Sequence, residues 1–541
     1  MLLLPMFFFV FILMAGSASS FNTLVNAPAG PIQGTTKSVQ GAPVQAFLGI
    51  PYAEPPLGNQ RFLRANPMKP WTETYQATSL PPACIQYTIY PFPWYDELPG
   101  KSENCLYLNI YSPIYARKGI NLPVIFWIHG GGFVFGSSRM DVYDASALAL
   151  YGKVIVVTIN YRLGPLGFLT SNTADAPGNV GMYDMYMALQ WVRTNIASFG
   201  GDKDLITLSG ESAGAISVSL FCVSPLTKGM FSRAIMESAS AILLTPTELQ
   251  NNLNFSQQIA KIVGCASDTK TIESDPKSVV GCPRNQNATD LAIALWSLDP
   301  TATIYYWPQF GDDLFPTNTL DDIRNGNFHN VPLFIGNNRD EGSFFITTSD
   351  PKTFGFFGQK DTYVNKTYAD QVIHKFFSTY NNIERVFQYY FADVPNNDYG
   401  DIRSQLYTAV GDTTLLCATV YFAERYAGTY DDTYFYFFLH RPSNSVWAPW
   451  MGTTHFDEVQ FVFGEPIRKP ELYQLDEVTL SRNMIEIWTN FAKYGYPTFN
   501  WPKYSNDTHD LIYLDTTFKT GIYGTGPHLN NCNFLRSHFG F

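Results

Sequence analysis

The amino-acid sequence predicts an α/β fold in which helices cover both faces of a central, mostly parallel sheet. Buried parallel strands are short apolar runs rich in β-branched and aromatic residues. Such runs occur at residues 124–129, 154–160, 205–209, 234–237, 333–336 and 434–439. Helical spacing of apolar residues lies between or after them, at residues 182–199 and 214–221. Because strands and helices alternate, we expect crossover connections that place helices on both faces of the sheet.

Helical periodicity continues in the second half of the chain. It covers residues 368–391, 402–426 and 477–494. We interpret these segments as a helical insertion and a closing C-terminal helix. No internal repeat, low-complexity tract or linker interrupts residues 21–541, which are therefore predicted to form a single catalytic domain.

The composition of the 541 residues is that of a folded protein with a large core. Apolar residues make up 45% of the chain and charged residues 15%, which excludes the disordered and fibrous classes. The formal net charge is −11, so the chain is a poor candidate for binding nucleic acid. A cationic ligand, by contrast, would be attracted by the field of such a protein.

The first 20 residues are predicted to be a cleaved signal peptide. Residues 2–14 are almost continuously apolar and residues 15–20 are small, although no Lys or Arg precedes the apolar run. The alternative is a membrane anchor, but the run is shorter than the roughly 20 residues that span a bilayer. No later stretch is long enough to span, so we expect a secreted chain without a transmembrane segment.

The sequence Gly-Glu-Ser-Ala-Gly at residues 210–214 carries the sharpest chemical signal. It follows the predicted strand 205–209 and opens the predicted helix 214–221, which is the context of a nucleophile elbow. In this tight turn small residues flank the serine, whose hydroxyl stands at a helix N-terminus where negative charge is favoured. Ser212 is therefore a candidate nucleophile, although a bare G-x-S-x-G pattern also arises by chance.

A run of glycines after His129 ends the first predicted strand in the sequence HGGGF. Consecutive glycines usually serve a backbone conformation that other residues cannot adopt. Here they would turn amide N–H groups toward a substrate oxygen, where each donor is typically worth about 10²–10³ in rate. A phosphate-binding loop is the alternative, but the Gly-Lys-Ser/Thr ending is missing. A simple turn would not explain the position of these glycines after a strand.

A serine nucleophile needs a histidine base, and the base needs an acid that orients it. His455 stands out because it lies in a polar loop after the predicted strand 434–439. Three carboxylates are candidates for the acid: Glu341 follows the strand 333–336, while Asp457 and Glu458 neighbour the histidine. Residues adjacent in sequence to a histidine rarely reach its Nδ1 well, which favours Glu341.

Taken together, these motifs resemble the type-B carboxylesterase and cholinesterase family. The shared motifs are ENCLYLN at 103–109, HGGGF at 129–133, APGNVG at 176–181, GESAG at 210–214, GNNRDEG at 336–342 and His455. The resemblance covers about residues 30–533, in the family's order and spacing. It implies an α/β-hydrolase fold with the active site in a deep gorge, and neither a metal nor an organic cofactor.

The resemblance also assigns roles to individual residues. It implies a catalytic triad of Ser212, Glu341 and His455. The oxyanion donors would be the amides of Gly131, Gly132 and Ala213. It further implies three disulfides, which pair Cys84 with Cys105, Cys265 with Cys282, and Cys417 with Cys532. Cys222 is left over in an apolar run, where we expect a buried free thiol. In a secreted chain, four sequons predict glycosylation at Asn254, Asn287, Asn365 and Asn506.

Within the family, HRPSNSVWAPWMG at 440–452 and DEVQFVFG at 457–464 resemble the cholinesterases more than the liver-type esterases. A quaternary ammonium group is bound by aromatic faces and nearby negative charge. Trp94, Glu211 and Phe344 match the family's positions for this choline site. The match of Trp94 requires one extra residue between it and Cys105. The alternative for Trp94 is an aromatic side chain packed on the surface of its loop, since single exposed aromatics need no explanation.

Other positions depart from strict acetylcholine specificity. Residues 302–304 lack the paired phenylalanines of the acetyl-selective branch, Val134 and Thr348 replace gorge tyrosines, and Ala215 replaces a glycine. The sequence therefore predicts a serine esterase of cholinesterase type, with a broad carboxylesterase for neutral or xenobiotic esters as the alternative. A catalytically silent adhesion protein is the third interpretation, and it is less favoured because every triad position is filled. A small-molecule ester, neutral or cationic, is the expected partner, and the sequence leaves a non-covalent homodimer open.

Overall fold

The computed structural model describes residues 23–95, 100–243, 246–298, 305–517 and 522–540. The predicted signal peptide, residues 1–20, lies outside the described residues. The same holds for residues 302–304, in which we expected a changed acyl pocket.

An eleven-stranded sheet forms the centre of the described part of the chain. Its strands are β1 (Thr35–Val39), β2 (Ala42–Pro51), β3 (Tyr107–Pro113), β4 (Leu122–Ile128), β5 (Ile155–Ile159), β6 (Gly201–Glu211), β7 (Arg233–Glu237), β8 (Leu333–Asn338), β9 (Thr433–Phe438), β10 (Asp510–Leu514) and β11 (Ile522–Thr525). Their order across the sheet is β11-β10-β9-β8-β7-β6-β4-β5-β3-β2-β1. Strands β10 to β5 in this order are all parallel, and the strands at both edges pair antiparallel.

Helices cover the sheet and fill the connections. They are α1 (Ser146–Gly152), α2 (Gly164–Phe168), α3 (Val180–Asn195), α4 (Ala213–Phe221), α5 (Pro246–Ile262), α6 (Pro276–Gly281), α7 (Ala288–Trp296), α8 (Thr319–Asn325), α9 (Glu341–Ser349), α10 (Pro351–Phe354), α11 (Lys366–Phe376), α12 (Ile383–Phe391), α13 (Tyr399–Gly411), α14 (Cys417–Ala427), α15 (Val459–Phe463), α16 (Glu465–Arg468), α17 (Leu475–Tyr494) and α18 (Leu529–Leu535). Smaller strands at Leu24–Ala27, Gly30–Gln33 and Tyr75–Gln76 form a separate sheet.

The core lies on both faces of the sheet, as buried strands require. Along β4 the side chains of Val124, Phe126 and Ile128 join one apolar cluster. The alternate residues Ile125 and Trp127 join a second cluster on the opposite face. This two-residue alternation of buried side chains places the C-terminal end of β4, where HGGGF begins, between two packed layers.

The predicted fold class is confirmed, and each of the six predicted strands is present. The helix predicted at 368–391 is instead two helices, α11 and α12. The Asn382 side chain starts the second helix by accepting a hydrogen bond from the Arg385 amide at 3.1 Å. The segment 402–426 is likewise divided, because a π-helical turn at Asp412–Leu416 separates α13 from α14. The antiparallel strands β1, β2, β3 and β11 were not predicted, and neither was β10, which pairs parallel with β9 and antiparallel with β11.

Three disulfides join the pairs that the family resemblance implied. Cys84 bonds Cys105, and Cys265 bonds Cys282, closing loops with sequence separations of 21 and 17 residues. Cys417 bonds Cys532 across 115 residues, which ties α14 to α18. Cys222 is a buried free thiol, as expected.

A search of the described residues finds no helix that is both long and apolar enough to cross a membrane.

We expect the longest disulfide to contribute most to stability. In the loop-entropy account, a cross-link over 115 residues stabilises the fold by about 5 kcal/mol, and one over 17 residues by about 3 kcal/mol. Replacing Cys417 and Cys532 by Ser should therefore lower the free energy of unfolding more than replacing Cys265 and Cys282. Denaturant titration of both double variants measures the difference. An equal or smaller loss in the Cys417/Cys532 variant would contradict the expectation.

Candidate active site

Ser212 stands in a strained turn between β6 and α4. Its backbone angles are φ 55° and ψ −120°, which a residue with a Cβ rarely adopts. The turn packs closely on β4, because a Cβ on Gly214 would lie only 2.0 Å from the Ile128 carbonyl oxygen. The Ser212 amide donates to the Glu237 carbonyl at 2.9 Å and so ties the turn to β7. This is the strand–turn–helix geometry that the GESAG motif predicted.

The glycine loop after β4 lies beside this turn. Gly131 has φ +102°, and a Cβ there would meet the Phe135 carbonyl oxygen at 2.0 Å. The amide N–H groups of Gly131, Gly132 and Ala213 donate no hydrogen bond to any residue that the structure describes. Gly131, Gly132 and Ser212 line one cavity, and a Cβ on Gly130 would lie 3.0 Å from the Ser212 Cβ, so the loop stands beside the serine.

His455 and Glu341 are hydrogen-bonded although 114 residues separate them. The distance from His455 Nδ1 to Glu341 Oε2 is 2.7 Å, and both side chains are buried. Glu341 is the first residue of α9, where the positive end of the helix dipole favours its carboxylate. Its second oxygen, Oε1, accepts a hydrogen bond from the backbone amide of Asn338 at 2.8 Å. This bond orients the carboxylate toward the histidine.

The other two candidate acids contact different groups. Asp457 Oδ2 accepts the Thr454 amide at 2.7 Å, and Glu458 Oε2 accepts Asn338 Nδ2 at 2.5 Å. The side-chain nitrogen of Asn338, Nδ2, also donates to the Thr454 carbonyl at 2.8 Å. Asn338, the last residue of β8, therefore joins the end of that strand to the loop that carries His455. Sequence reasoning quoted this asparagine only as part of GNNRDEG.

The second ring nitrogen of His455 faces Glu211. His455 Nε2 lies 3.1 Å from Glu211 Oε1. The contact is not a hydrogen bond, since Glu211 Oε1 has no hydrogen-bond partner among the described residues. Ser212 Oγ and His455 Nε2 line the same cavity, but no hydrogen bond joins them in the described structure. The structure thus brings His455 and Glu341 together and leaves the serine–histidine contact open.

Buried carboxyl groups dominate the electrostatics of this region. Burial raises the pKa of Glu211 well above the usual range, and the charges of Glu341 and Glu237 raise it further. Burial also raises the pKa of Glu237 to about 8, although a hydrogen bond from Trp488 opposes the shift. Burial likewise raises the pKa of Glu458 well above the usual range. These carboxyl groups therefore favour the protonated form unless a positive charge comes close.

A cavity of about 630 Å³ opens above Ser212 and His455. Trp94, in the loop closed by Cys84–Cys105, lines this cavity together with Glu211 and Phe344. The three residues predicted as a choline site therefore share one chamber with the predicted nucleophile. Trp94 packs against the Phe92 ring at 4.7 Å rather than lying on the outer surface of its loop.

Sequence reasoning missed several aromatic residues of the same chamber. They are Tyr90, Phe92, Phe135, Tyr143, Phe345 and Phe456. Phe344 and Phe345 each approach the His455 ring at 5.6 Å between centroids. The clustering of aromatic residues in YPFPWY, at 90–95, and in FVF, at 133–135, was the available signal. Val134 and Thr348, which stand where the family has gorge tyrosines, are buried and do not line this cavity in the part of the chain that the structure describes. Ala215 is buried within α4.

Comparison with known proteins agrees with this geometry. The model of the carboxylesterase family matches residues 22–535, nearly the whole chain. This chain belongs to the carboxylesterase family. It is 40% identical over 539 residues to acetylcholinesterase-1 of Trittame loki, covering 97% of this chain and 96% of that protein. It is 36% identical over 516 residues to acetylcholinesterase of Bungarus fasciatus, covering 91% and 82%. Cholinesterase of Mus musculus is 33% identical over 539 residues, covering 95% and 87%.

The predicted glycosylation sites of this carboxylesterase family member are all on the surface. Asn254, Asn287, Asn365 and Asn506 are exposed. The side chains of Asn287 and Asn365 also cap α7 and α11 by accepting hydrogen bonds from backbone amides. Among the described residues, no group of three or more His, Cys, Asp or Glu side chains could hold a metal ion.

We expect Gly131→Ala to damage the fold and the site through a collision as well as through strain. Gly119 has a similar φ, +91°, but a Cβ there meets no atom within 4 Å, so Gly119→Ala measures the backbone strain alone. Gly131→Ala adds a clash with Phe135, and overpacking typically costs about 1–3 kcal/mol. Thermal unfolding of both variants tests this. Equal destabilisation would show that the close approach to Phe135 is unimportant.

Proposed function

We propose that this protein is a cholinesterase-type serine carboxylic ester hydrolase that acts on choline esters. The observation that carries the proposal is the hydrogen bond of 2.7 Å between Glu341 and His455, which lines the same cavity as Ser212. An acid, a base and a serine at an elbow are the parts that acyl transfer requires. The names of the most similar relatives, which are acetylcholinesterases and a cholinesterase, support this substrate class.

The mechanism we propose has two acyl-transfer steps. Ser212 Oγ attacks the ester carbonyl carbon while His455 Nε2 takes the hydroxyl proton. The amides of Gly131, Gly132 and Ala213 donate to the resulting oxyanion. His455 then gives its proton to the departing alcohol, and water attacks the acyl-serine by the same route. Throughout, Glu341 fixes the ring of His455 and stabilises its charged form.

One contact must change before the first proton transfer. His455 Nε2 lies 3.1 Å from Glu211 Oε1 in the structure, whereas the mechanism requires Nε2 to accept from Ser212. Catalytic hydrogen bonds often close only in the substrate complex. We propose that a bound choline group draws the Glu211 carboxylate to itself and frees Nε2 for the serine.

Preference for a cationic alcohol distinguishes the proposed function from a broad carboxylesterase. Trp94 and Phe344 offer aromatic faces and Glu211 a carboxyl group, which suits a quaternary ammonium group. A general esterase would need only the apolar chamber. The secreted location that we propose rests on the predicted signal peptide, the disulfides and the exposed sequons. A non-covalent homodimer remains a prediction.

The decisive test compares acetylthiocholine and butyrylthiocholine with uncharged esters of matched acyl length. We expect higher kcat/KM for the choline esters, because each cation–π contact contributes roughly 0.5–2 kcal/mol. Ser212→Ala should abolish both turnover and covalent labelling by an organophosphate. Equal or faster turnover of the uncharged esters would leave a broad carboxylesterase. Failure of folded protein to be labelled would indicate a silent binding protein.

The choice of acid is tested by a pair of matched substitutions. Glu341→Gln keeps the shape of the side chain but removes the charge that His455 Nδ1 contacts, so kcat should fall by about 10⁴. Glu458→Gln is the matched isosteric substitution at a buried carboxyl that contacts Asn338 instead. Its effect on kcat should be far smaller. Comparable losses in both variants would remove the distinction between the two carboxylates.

The raised pKa of Glu211 predicts a pH-dependent affinity for cations. Above this pKa the carboxylate is charged and attracts the cation, and below it binding must displace a proton. The Kd of tetramethylammonium should therefore rise as the pH falls through a value well above the ordinary Glu pKa of about 4.3, by up to about tenfold per pH unit.

Competition against hydrolysis of a neutral ester measures this Kd. Glu211→Gln is the matched control, because it keeps the side-chain volume and cannot titrate. Since His455 lies beside Glu211, only the part of the pH dependence that disappears in Glu211→Gln belongs to the carboxyl group. An unchanged pH dependence in that variant would rule out Glu211 as its source.

A further inference from the structure

Phe456, the residue directly after His455, has an unusual backbone conformation. Its φ is +79°, in the left-handed region that disfavours a residue with a bulky side chain. Among the described residues, two other phenylalanines, Phe62 and Phe133, also have a positive φ. Of the three, only Phe456 lies on the described lining of the active-site cavity. Such outliers persist where the surrounding structure holds them, and they concentrate at functional sites.

The ring of Phe456 is packed between two other rings of the cavity wall. It lies 6.1 Å from the Trp94 ring, with 28° between the planes, and 6.0 Å from the Tyr143 ring at 88°. Phe92 stacks on Trp94 at 4.7 Å. The side chain of Phe456 is only half-buried, so part of its ring faces the chamber.

We infer that Phe456 is a specificity-determining residue that offers an aromatic face to the cationic alcohol group of the substrate. This inference rests on the proposed function. The Phe456 ring lies beside Trp94, and the His455 ring that precedes it in the chain lies 3.1 Å from Glu211, which lines the same chamber. Aromatic faces grouped around one point, with a carboxyl group nearby, are the arrangement that binds quaternary ammonium groups.

The competing explanation is that the ring only fills space against Tyr143. Size and aromaticity are separable, because leucine keeps an apolar side chain of similar bulk and has no π face. Phe456→Tyr keeps the π face, and Phe456→Gly removes the ring together with the backbone strain. The glycine variant is expected to fold, since glycine adopts a positive φ readily.

The experiment measures kcat/KM for acetylthiocholine and for its uncharged isostere, the 3,3-dimethylbutyl thioester of acetic acid. The ratio of the two values is the selectivity for positive charge. We expect this ratio to fall by about 2- to 30-fold in Phe456→Leu and Phe456→Gly, the fold-change of one lost cation–π contact. Phe456→Tyr should keep it. Phe62→Leu, at a positive-φ phenylalanine outside the cavity, should also leave the ratio unchanged.

The possible outcomes separate this inference from the proposed function. A wild-type protein that prefers the choline ester, with the ratio unchanged in Phe456→Leu and Phe456→Gly, overturns the role of Phe456 and keeps the cholinesterase. Equal losses on both substrates leave the ratio unchanged and have the same meaning, because a space-filling ring affects both alike. A wild-type protein without charge preference overturns the proposed function and this inference together.

Discussion

The close packing of the Ser212 turn against the end of β4 is the constraint on which the site depends. Because Gly214 approaches the Ile128 carbonyl so closely, α4 begins directly behind the glycine loop. One contact therefore fixes the position of the serine, the first amide of α4 and the amides of Gly131 and Gly132. The parallel strands β4, β6 and β7 supply the rigid base for this contact, since the Ser212 amide also bonds to the end of β7.

Buried acidity is the second property that shapes the site. Glu211 lines the aromatic chamber, and Glu237, Glu341 and Glu458 lie near it, all buried where water screens their repulsion poorly. Only Glu341 combines a helix N-terminus, a backbone amide and an imidazole that stabilise its charge. Glu211, Glu237 and Glu458 have fewer groups that stabilise a negative charge, and burial raises their pKa values. This difference in surroundings explains how one carboxylate can orient His455 while another, Glu211, remains available to a cation.

The sequence predicted the parallel centre of the fold and the residues at strand ends, because long apolar runs and glycine motifs are local signals. The edge strands were not predicted because polar residues interrupt their apolar ones, as in β1 (TTKSV). The break between α11 and α12 depends on an asparagine cap that apolar periodicity does not register. Glu341 was predicted as the acid by excluding neighbours of His455. The role of Asn338 could not be predicted, since it arises only where two loops meet.

The aromatic chamber is assembled from separate stretches of chain. Trp94 belongs to the loop closed by Cys84–Cys105, Phe344 to α9, and Phe456 to the loop after His455. The Ser212 turn and the glycine loop, which carry the proposed reacting groups, belong to other segments. Selection can therefore alter the wall one segment at a time while the reacting groups stay in place. A fold organised in this way allows the substrate range to change between relatives while the reaction mechanism stays the same.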